Sequence, residues 1–158
     1  MKAGETLPVQ EFRVTRADLV RYAGASGDLN PIHWSDRIAT SVGLPGVIAH
    51  GMLTLGLSGR ALEVWAGGPG RVVELGAKFT RPVVVPDDDA GVTLTVAGTV
   101  TAVEDGRASV VLEVTCGGEK VLGAPKAVIL VASEAAHPDA PDEGGGPDEV
   151  DGGRPGGG

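Results

Sequence analysis

The sequence has little that would place it in a membrane, in an oxidising compartment or on nucleic acid. Its single cysteine, Cys116, excludes a disulfide within the chain and suits a reducing compartment. No stretch approaches the roughly 18 apolar residues of a membrane-spanning helix, and the first residues, MKAGET, lack the apolar core of a signal peptide. Basic residues are outnumbered, with 13 Lys and Arg against 21 Asp and Glu. We therefore expect a soluble cytoplasmic protein with neither a membrane nor a nucleic-acid partner.

The formal charge of -8 is concentrated near the end of the sequence. Residues 133–158 hold seven acidic residues and one arginine, so residues 1–132 carry a net charge of only -2. The same end segment contains eight Gly and four Pro, and it has too few apolar side chains to offset the entropy of ordering the chain. The composition predicts one folded domain over residues 1–132, followed by a disordered acidic tail over 133–158.

The first part of the chain has the pattern of a strand followed by short helices. Residues 7–14 have the composition of a short strand. Thr15 followed by Asp18 is a helix-capping pattern, and it predicts a helix that runs to about Ala23. Ser35 predicts the start of another short helix.

The second part has the pattern of a long apolar helix followed by four strands. Residues 50–65 are apolar nearly all round a helix, which indicates a helix buried in a core. Short turn sequences separate the segments after it, and such turns favour antiparallel hairpins. A long helix wrapped by a curved antiparallel sheet satisfies both features, and this is an α+β fold of the hot-dog type. The four strand segments are 71–80, 92–103, 107–116 and 120–132.

An aspartate and a histidine lie five residues apart in the loop between the two short helices. Pro31 fixes one backbone torsion of this loop, and Asn30 can stabilise the turn through its own side chain. A carboxylate and an imidazole can exchange protons near neutral pH, so Asp28 and His33 suit acid–base chemistry on a small substrate. An Asx turn with a helix-capping histidine is the purely structural alternative.

Residues 22–33, YAGASGDLNPIH, resemble the hydratase motif of the MaoC-like, R-specific enoyl-thioester hydratases and dehydratases. That motif reads Y-x-x-x-S-G-D-x-N-P-x-H, and every specified position is met. Residues 49–52, AHGM, are similar to the start of the family's central helix, and residues 78–83, KFTRPV, to a later strand motif. The likeness covers about residues 5–132 and is greatest to the B-type, catalytic subunit of bacterial (3R)-hydroxyacyl-ACP dehydratases.

The resemblance implies syn dehydration of a (3R)-3-hydroxyacyl thioester to a trans-2-enoyl thioester, or the reverse, on CoA or ACP. It implies no metal and no cofactor besides that carrier. We assign His33 to the C2 proton and Asp28 to the hydroxyl. Gly51 matches the glycine whose backbone N–H faces the thioester oxygen in the family, so the resemblance implies the same role here. The physical chemistry of a helix start agrees, because the first N–H groups of a helix lack internal partners. Asn30 is a further substrate-binding candidate, and Ser58 is a weak one because the family's helix serine aligns with the next residue.

Two other functions remain open from the residues alone. A hot-dog thioesterase would share the fold, but it needs an acid near the carbonyl, and the acid on the long helix, Glu63, lies far from the helix start. A non-catalytic thioester-binding subunit would be expected to lack the Asp28 and His33 pair. An uncovered sheet edge predicts a dimer with a second hot-dog subunit, identical or paralogous, and acyl carrier protein is a candidate partner.

Overall fold

A computed structural model describes residues 1–131 of the chain. The predicted tail, 133–158, lies outside the described residues. The elements are β1 (Thr6–Val14), α1 (Arg16–Ser26), a 3₁₀ turn (Pro31–His33), α2 (Asp36–Ser41), α3 (Gly51–Ala66), β2 (Val72–Phe79), β3 (Val92–Glu104), β4 (Arg107–Cys116), β5 (Glu119–Lys120) and β6 (Leu122–Leu130). The six strands form one antiparallel sheet in the order β1-β3-β4-β6-β2, with the short β5 paired to β4. This is the α+β, hot-dog architecture that the sequence predicts.

Helix α1 begins where the capping pattern predicts and ends later than predicted. The Asp18 carboxylate accepts hydrogen bonds from the hydroxyl (2.7 Å) and the N–H (2.9 Å) of Thr15. These bonds hold the pKa of Asp18 below its ordinary value. The helix continues past Ala23 to Ser26 and ends at Gly27, whose φ of 75° is a left-handed conformation that glycine adopts without a Cβ penalty.

Helix α3 packs against the sheet with one side only. Thr54, Ala61 and Leu62 are buried on the inner side, whereas Met52 (57%) and Val64 (56%) are exposed on the outer side. The prediction of a helix buried all round is therefore wrong for the single chain, because the sheet covers one side and no described element covers the other. No helix within residues 1–131 is long and apolar enough to cross a membrane.

Trp65 fixes the end of α3 relative to two strands. Its indole N–H donates a hydrogen bond to the Pro8 carbonyl of β1 at 2.9 Å. Its ring lies against Gly98 of β3, where an added Cβ would stand 2.8 Å from one ring atom and 2.9 Å from another. Any side chain at Gly98 would have to displace the buried indole, so glycine is required at this contact.

Candidate active site

The loop between α1 and α2 is folded tightly around Asp28. Asp28 Oδ1 accepts a hydrogen bond from the N–H of Asn30 (3.2 Å), and Asn30 Oδ1 accepts one from the N–H of Ile32 (3.3 Å). These are successive Asx turns, and Pro31 then opens the 3₁₀ turn. The folded loop brings Asp28 Oδ2 to 3.9 Å from Nε2 of His33.

His33 is buried, and a backbone carbonyl fixes the position of its proton. Nδ1 of His33 lies 2.8 Å from the carbonyl oxygen of Ile48. A carbonyl oxygen only accepts hydrogen bonds, so Nδ1 must be the donor. In the neutral ring, Nε2 then has a free lone pair, and this is the nitrogen nearest the Asp28 carboxylate. His33 can therefore take up a proton at Nε2.

A second histidine supports the ring of His33. His50, the residue before α3, is buried, and its ring stacks on that of His33 with centroids 3.7 Å apart and planes 23° apart. Its Nε2 lies 3.1 Å from the carbonyl oxygen of Asp28, to which it must donate. Within residues 1–131 its buried Nδ1 has no hydrogen-bond partner. His50 thus connects the start of α3 to the Asp28 loop.

Asp28, His33 and His50 form a cluster whose possible metal-binding atoms lie within 4.8 Å of one another. An ion shared by two histidines needs their lone pairs to converge. The two rings are stacked 23° from parallel, so their lone pairs lie in two nearly parallel planes, and an ion lying in the plane of one ring would stand off the plane of the other. One nitrogen of each ring also bonds a backbone carbonyl. This geometry favours acid–base chemistry over a shared metal ion.

His33 lines a cleft of ≈ 350 Å³ at the start of α3. The first hydrogen bonds of α3 run from the N–H groups of Leu53 and Thr54 to the His50 carbonyl, at 3.1 and 3.2 Å. The N–H of Gly51 therefore has no partner within the helix and is free to bind an oxygen. Gly51 and Thr54 of α3 also line the cleft, and the other lining residues are Ile48, Ala49, Phe79, Thr80, Arg81, Pro82, Val83, Val121 and Leu122.

The ring of Phe79 covers Gly51 at the edge of this cleft. A Cβ added to Gly51 would stand 3.0 to 3.2 Å from three atoms of that ring. Glycine thus allows both the ring and an incoming group to approach the backbone of α3 closely.

The structure does not bring every predicted residue to the cleft. The half-exposed Asp28 carboxylate lies beside His33 but outside the cleft wall. The side chain of Asn30 closes the 3₁₀ turn, and the buried Ser58 hydroxyl donates to the Thr54 carbonyl at 3.0 Å, so neither lines the cleft. Thr54 lines it, and the sequence analysis missed it because one threonine in an apolar helix carries no chemical signal.

An ion pair outside the cleft holds the surrounding elements together. The guanidinium of Arg16 donates to both carboxylate oxygens of Asp36, at 3.0 and 2.8 Å, and its Nε–H donates to the Val85 carbonyl. Asp36 also accepts a hydrogen bond from the N–H of Val47 at 3.2 Å. The bonds from Arg16, and then that from Val47, lower the pKa of Asp36. They join α1, α2 and the segment that leads into α3.

Two relatives are similar to this chain over most of their own length. The chain is 34% identical over 134 residues to the 3-hydroxybutyryl-CoA dehydratase of Methylorubrum extorquens, and this match covers 84% of the chain and 83% of that protein. It is 31% identical over 122 residues to the (R)-specific enoyl-CoA hydratase of Rhodospirillum rubrum, and this match covers 75% of the chain and 81% of that protein.

Other relatives are longer than this chain. A solved structure described as a MaoC-like dehydratase superimposes with a TM-score of 0.79 at 36% identity, covering 84% of the chain and 41% of that protein. The 3-hydroxyacyl-thioester dehydratases X and Y of Mycobacterium tuberculosis are 39% and 40% identical over 82 and 72 residues. The chain spans only 27% and 25% of their lengths.

The family model of the MaoC like domain matches residues 2–119, about three quarters of the 158 residues. This span contains the Asp28 loop, α3 and every residue that lines the cleft except Val121 and Leu122. The chain belongs to the MaoC-like domain family.

Proposed function

We propose that this chain interconverts (3R)-3-hydroxyacyl thioesters and trans-2-enoyl thioesters, as a dehydratase or R-specific hydratase of fatty-acid metabolism. The observation that carries the proposal is the pairing of the Asp28 carboxyl group with the free Nε2 of His33, 3.9 Å away, at the cleft where the N–H of Gly51 has no partner within α3. The names of the two relatives that match over most of their length support the substrate class.

In the dehydration direction, His33 accepts the C2 proton at Nε2. The electron pair of the C–H bond delocalises onto the thioester oxygen, where the N–H of Gly51 stabilises the developing negative charge. Asp28, which is in its acid form at this stage, donates its proton to the C3 hydroxyl, which leaves as water as the C2=C3 double bond forms. The C2 proton held by His33 then passes to the Asp28 carboxylate and restores the acid form. The 3.9 Å gap between the two groups suits transfer through an intervening hydroxyl or water.

Incubating the protein with crotonyl-CoA tests this proposal against its alternatives. Enoyl absorbance and free thiol are followed together, and chiral analysis of the product gives its configuration. We expect loss of absorbance without free thiol, and (R)-3-hydroxybutyryl-CoA as the product. Release of thiol would instead indicate a thioesterase. No change in either signal, for the chain alone and with a second subunit, would contradict the proposal and favour a non-catalytic binding subunit.

We further propose that a second hot-dog subunit, identical or paralogous, covers the outer side of α3. Met52 and Val64 expose apolar surface on that side, and the edge strand β2 exposes Val73 and Phe79. Light scattering on the chain alone, and on the chain co-expressed with a genomically adjacent hot-dog protein, measures the assembly mass. A dimer is expected in at least one case. A monomer in both would contradict the proposal.

A further inference from the structure

Among the described residues that line the cleft, one side chain is permanently charged, that of Arg81. No other Lys or Arg and no Asp or Glu is among the described residues that line it. Resting on the proposed function, we propose that Arg81 binds the phosphate at the end of the pantetheine arm. Both CoA and acyl carrier protein present an acyl thioester on that arm, so the ligand chemistry is common to the two carriers.

The exposure of Arg81 fits a phosphate that lies outside the cleft. Two amide units separate the sulfur of pantetheine from its phosphate. With the thioester at Gly51 and His33, the phosphate must therefore lie outside the cleft rather than within it. The Arg81 side chain is 63% exposed, which places it at the rim. The neighbouring wall, formed by Pro82, Val83 and Val121 among others, is apolar and leaves Arg81 as the anchor for an anion.

The backbone of Arg81 is held while its guanidinium remains exchangeable. The N–H groups of Thr80 and Arg81 lie 3.2 and 3.4 Å from the Val121 carbonyl, and Pro82 stiffens the next position. The guanidinium contacts Glu119 at 2.9 Å, and both side chains are 63% exposed. Exposed ion pairs of this kind contribute little to stability. A guanidinium binds phosphate with two parallel hydrogen bonds, so a phosphate can displace the Glu119 carboxylate.

Three substitutions test the role of Arg81: Arg81→Gln removes the charge, Glu119→Gln removes the competing carboxylate, and Arg107→Gln is the matched control. Arg107 is an exposed arginine at the start of β4 and lies outside the cleft wall. Hydration of crotonyl-CoA, crotonyl-ACP and crotonyl-pantetheine is measured for each protein. The last substrate has the arm without the phosphate.

For Arg81→Gln we expect KM to rise about tenfold for the phosphorylated thioesters, the effect of one lost charge-assisted contact, with kcat little changed. Its kinetics with crotonyl-pantetheine should match those of the parent. Glu119→Gln should lower KM for the phosphorylated thioesters, and Arg107→Gln should change nothing. Hydration of only one of the two phosphorylated thioesters by the parent protein would identify the carrier. If both are hydrated, an effect of Arg81→Gln on only one of them would show that Arg81 contacts that carrier outside the shared phosphate, and it would overturn the proposal.

An equal rise in KM for crotonyl-pantetheine would show that Arg81 acts on the shape of the cleft, and it would overturn the proposal. An unchanged KM for both phosphorylated thioesters would also overturn it.

Binding of butyryl-CoA and butyryl-pantetheine, which have no double bond to hydrate, is measured by calorimetry. A parent protein that is inert toward all three crotonyl thioesters would refute the proposed function. In that case the binding data would still test Arg81. Loss of the preference for butyryl-CoA over butyryl-pantetheine in Arg81→Gln would support phosphate binding by Arg81, and an unchanged preference would overturn it.

Discussion

Replacing Gly51 by alanine tests whether the start of α3 receives the thioester. Gly51 has no positive φ, and alanine is favoured over glycine in a helix by about 1 kcal/mol. The new methyl group would lie 3.0 to 3.2 Å from three atoms of the Phe79 ring. Phe79 is 55% exposed, so its ring can move aside at less cost than a buried ring would incur. We therefore expect a free energy of unfolding within about 1 kcal/mol of that of the parent.

Gly51→Ala should have little effect on stability, but we expect it to lower the hydration activity strongly. The methyl group and the displaced Phe79 ring both take up space beside the N–H of Gly51. If the thioester oxygen binds there, kcat/KM for hydration of crotonyl-CoA should fall about 10² to 10³-fold, comparable with the loss of one oxyanion donor. Steady-state kinetics and urea unfolding measure the two effects separately.

Gly56→Ala is the matched control in the same helix. A Cβ at Gly56 would have no atom within 4 Å, apart from its neighbours and the backbone of the helix. It should raise the free energy of unfolding by up to about 1 kcal/mol and leave kcat/KM unchanged. Parental kinetics in a stably folded Gly51→Ala protein would refute the proposed role of this helix terminus.

Three further predictions concern the acid–base pair, the core and the first helix. Asp28→Asn and His33→Gln should each reduce kcat by at least about 10² without changing the circular dichroism spectrum, and near-normal rates would remove the mechanism. Gly98→Ala should lower the free energy of unfolding by about 1 to 3 kcal/mol, because the new Cβ meets the buried Trp65 ring, and an unchanged melting temperature would contradict this. The pKa of Asp18 is lowered on folding, so its contribution to stability is present above about pH 4 and is lost as the pH falls through the folded-state pKa. The free energy of unfolding of Asp18→Asn, measured against pH, should lack this pH-dependent contribution. A pH dependence identical to that of the parent would contradict the role of Asp18.

The order and approximate limits of the elements could be predicted because local chemistry sets them. Ser35 caps α2 through its hydroxyl, as expected, and the turn before Arg107 joins β3 to β4 as an antiparallel hairpin. The family was also predictable, because the Asp28 to His33 motif is contiguous in the sequence.

The contacts that orient the site were not predictable, because each joins distant parts of the chain. Ile48 fixes the tautomer of His33 from 15 residues away, and the Asp28 carbonyl binds His50 across 22 residues. Which of Thr54 and Ser58 reaches the cleft depends on which turn of α3 the cleft meets. Both face inward and are buried, but only Thr54 lies where the cleft opens.

The single hydrogen bond from His33 to the Ile48 carbonyl also has a stereochemical consequence. Because that bond occupies one ring nitrogen, a proton received at the other cannot cross the imidazole and depart on the far side. It must leave by the edge through which it arrived, the edge that faces Asp28. In the proposed reaction, Nε2 of His33 and the Asp28 carboxyl group, 3.9 Å apart, would therefore act from the same side of the acyl chain, as a syn elimination requires.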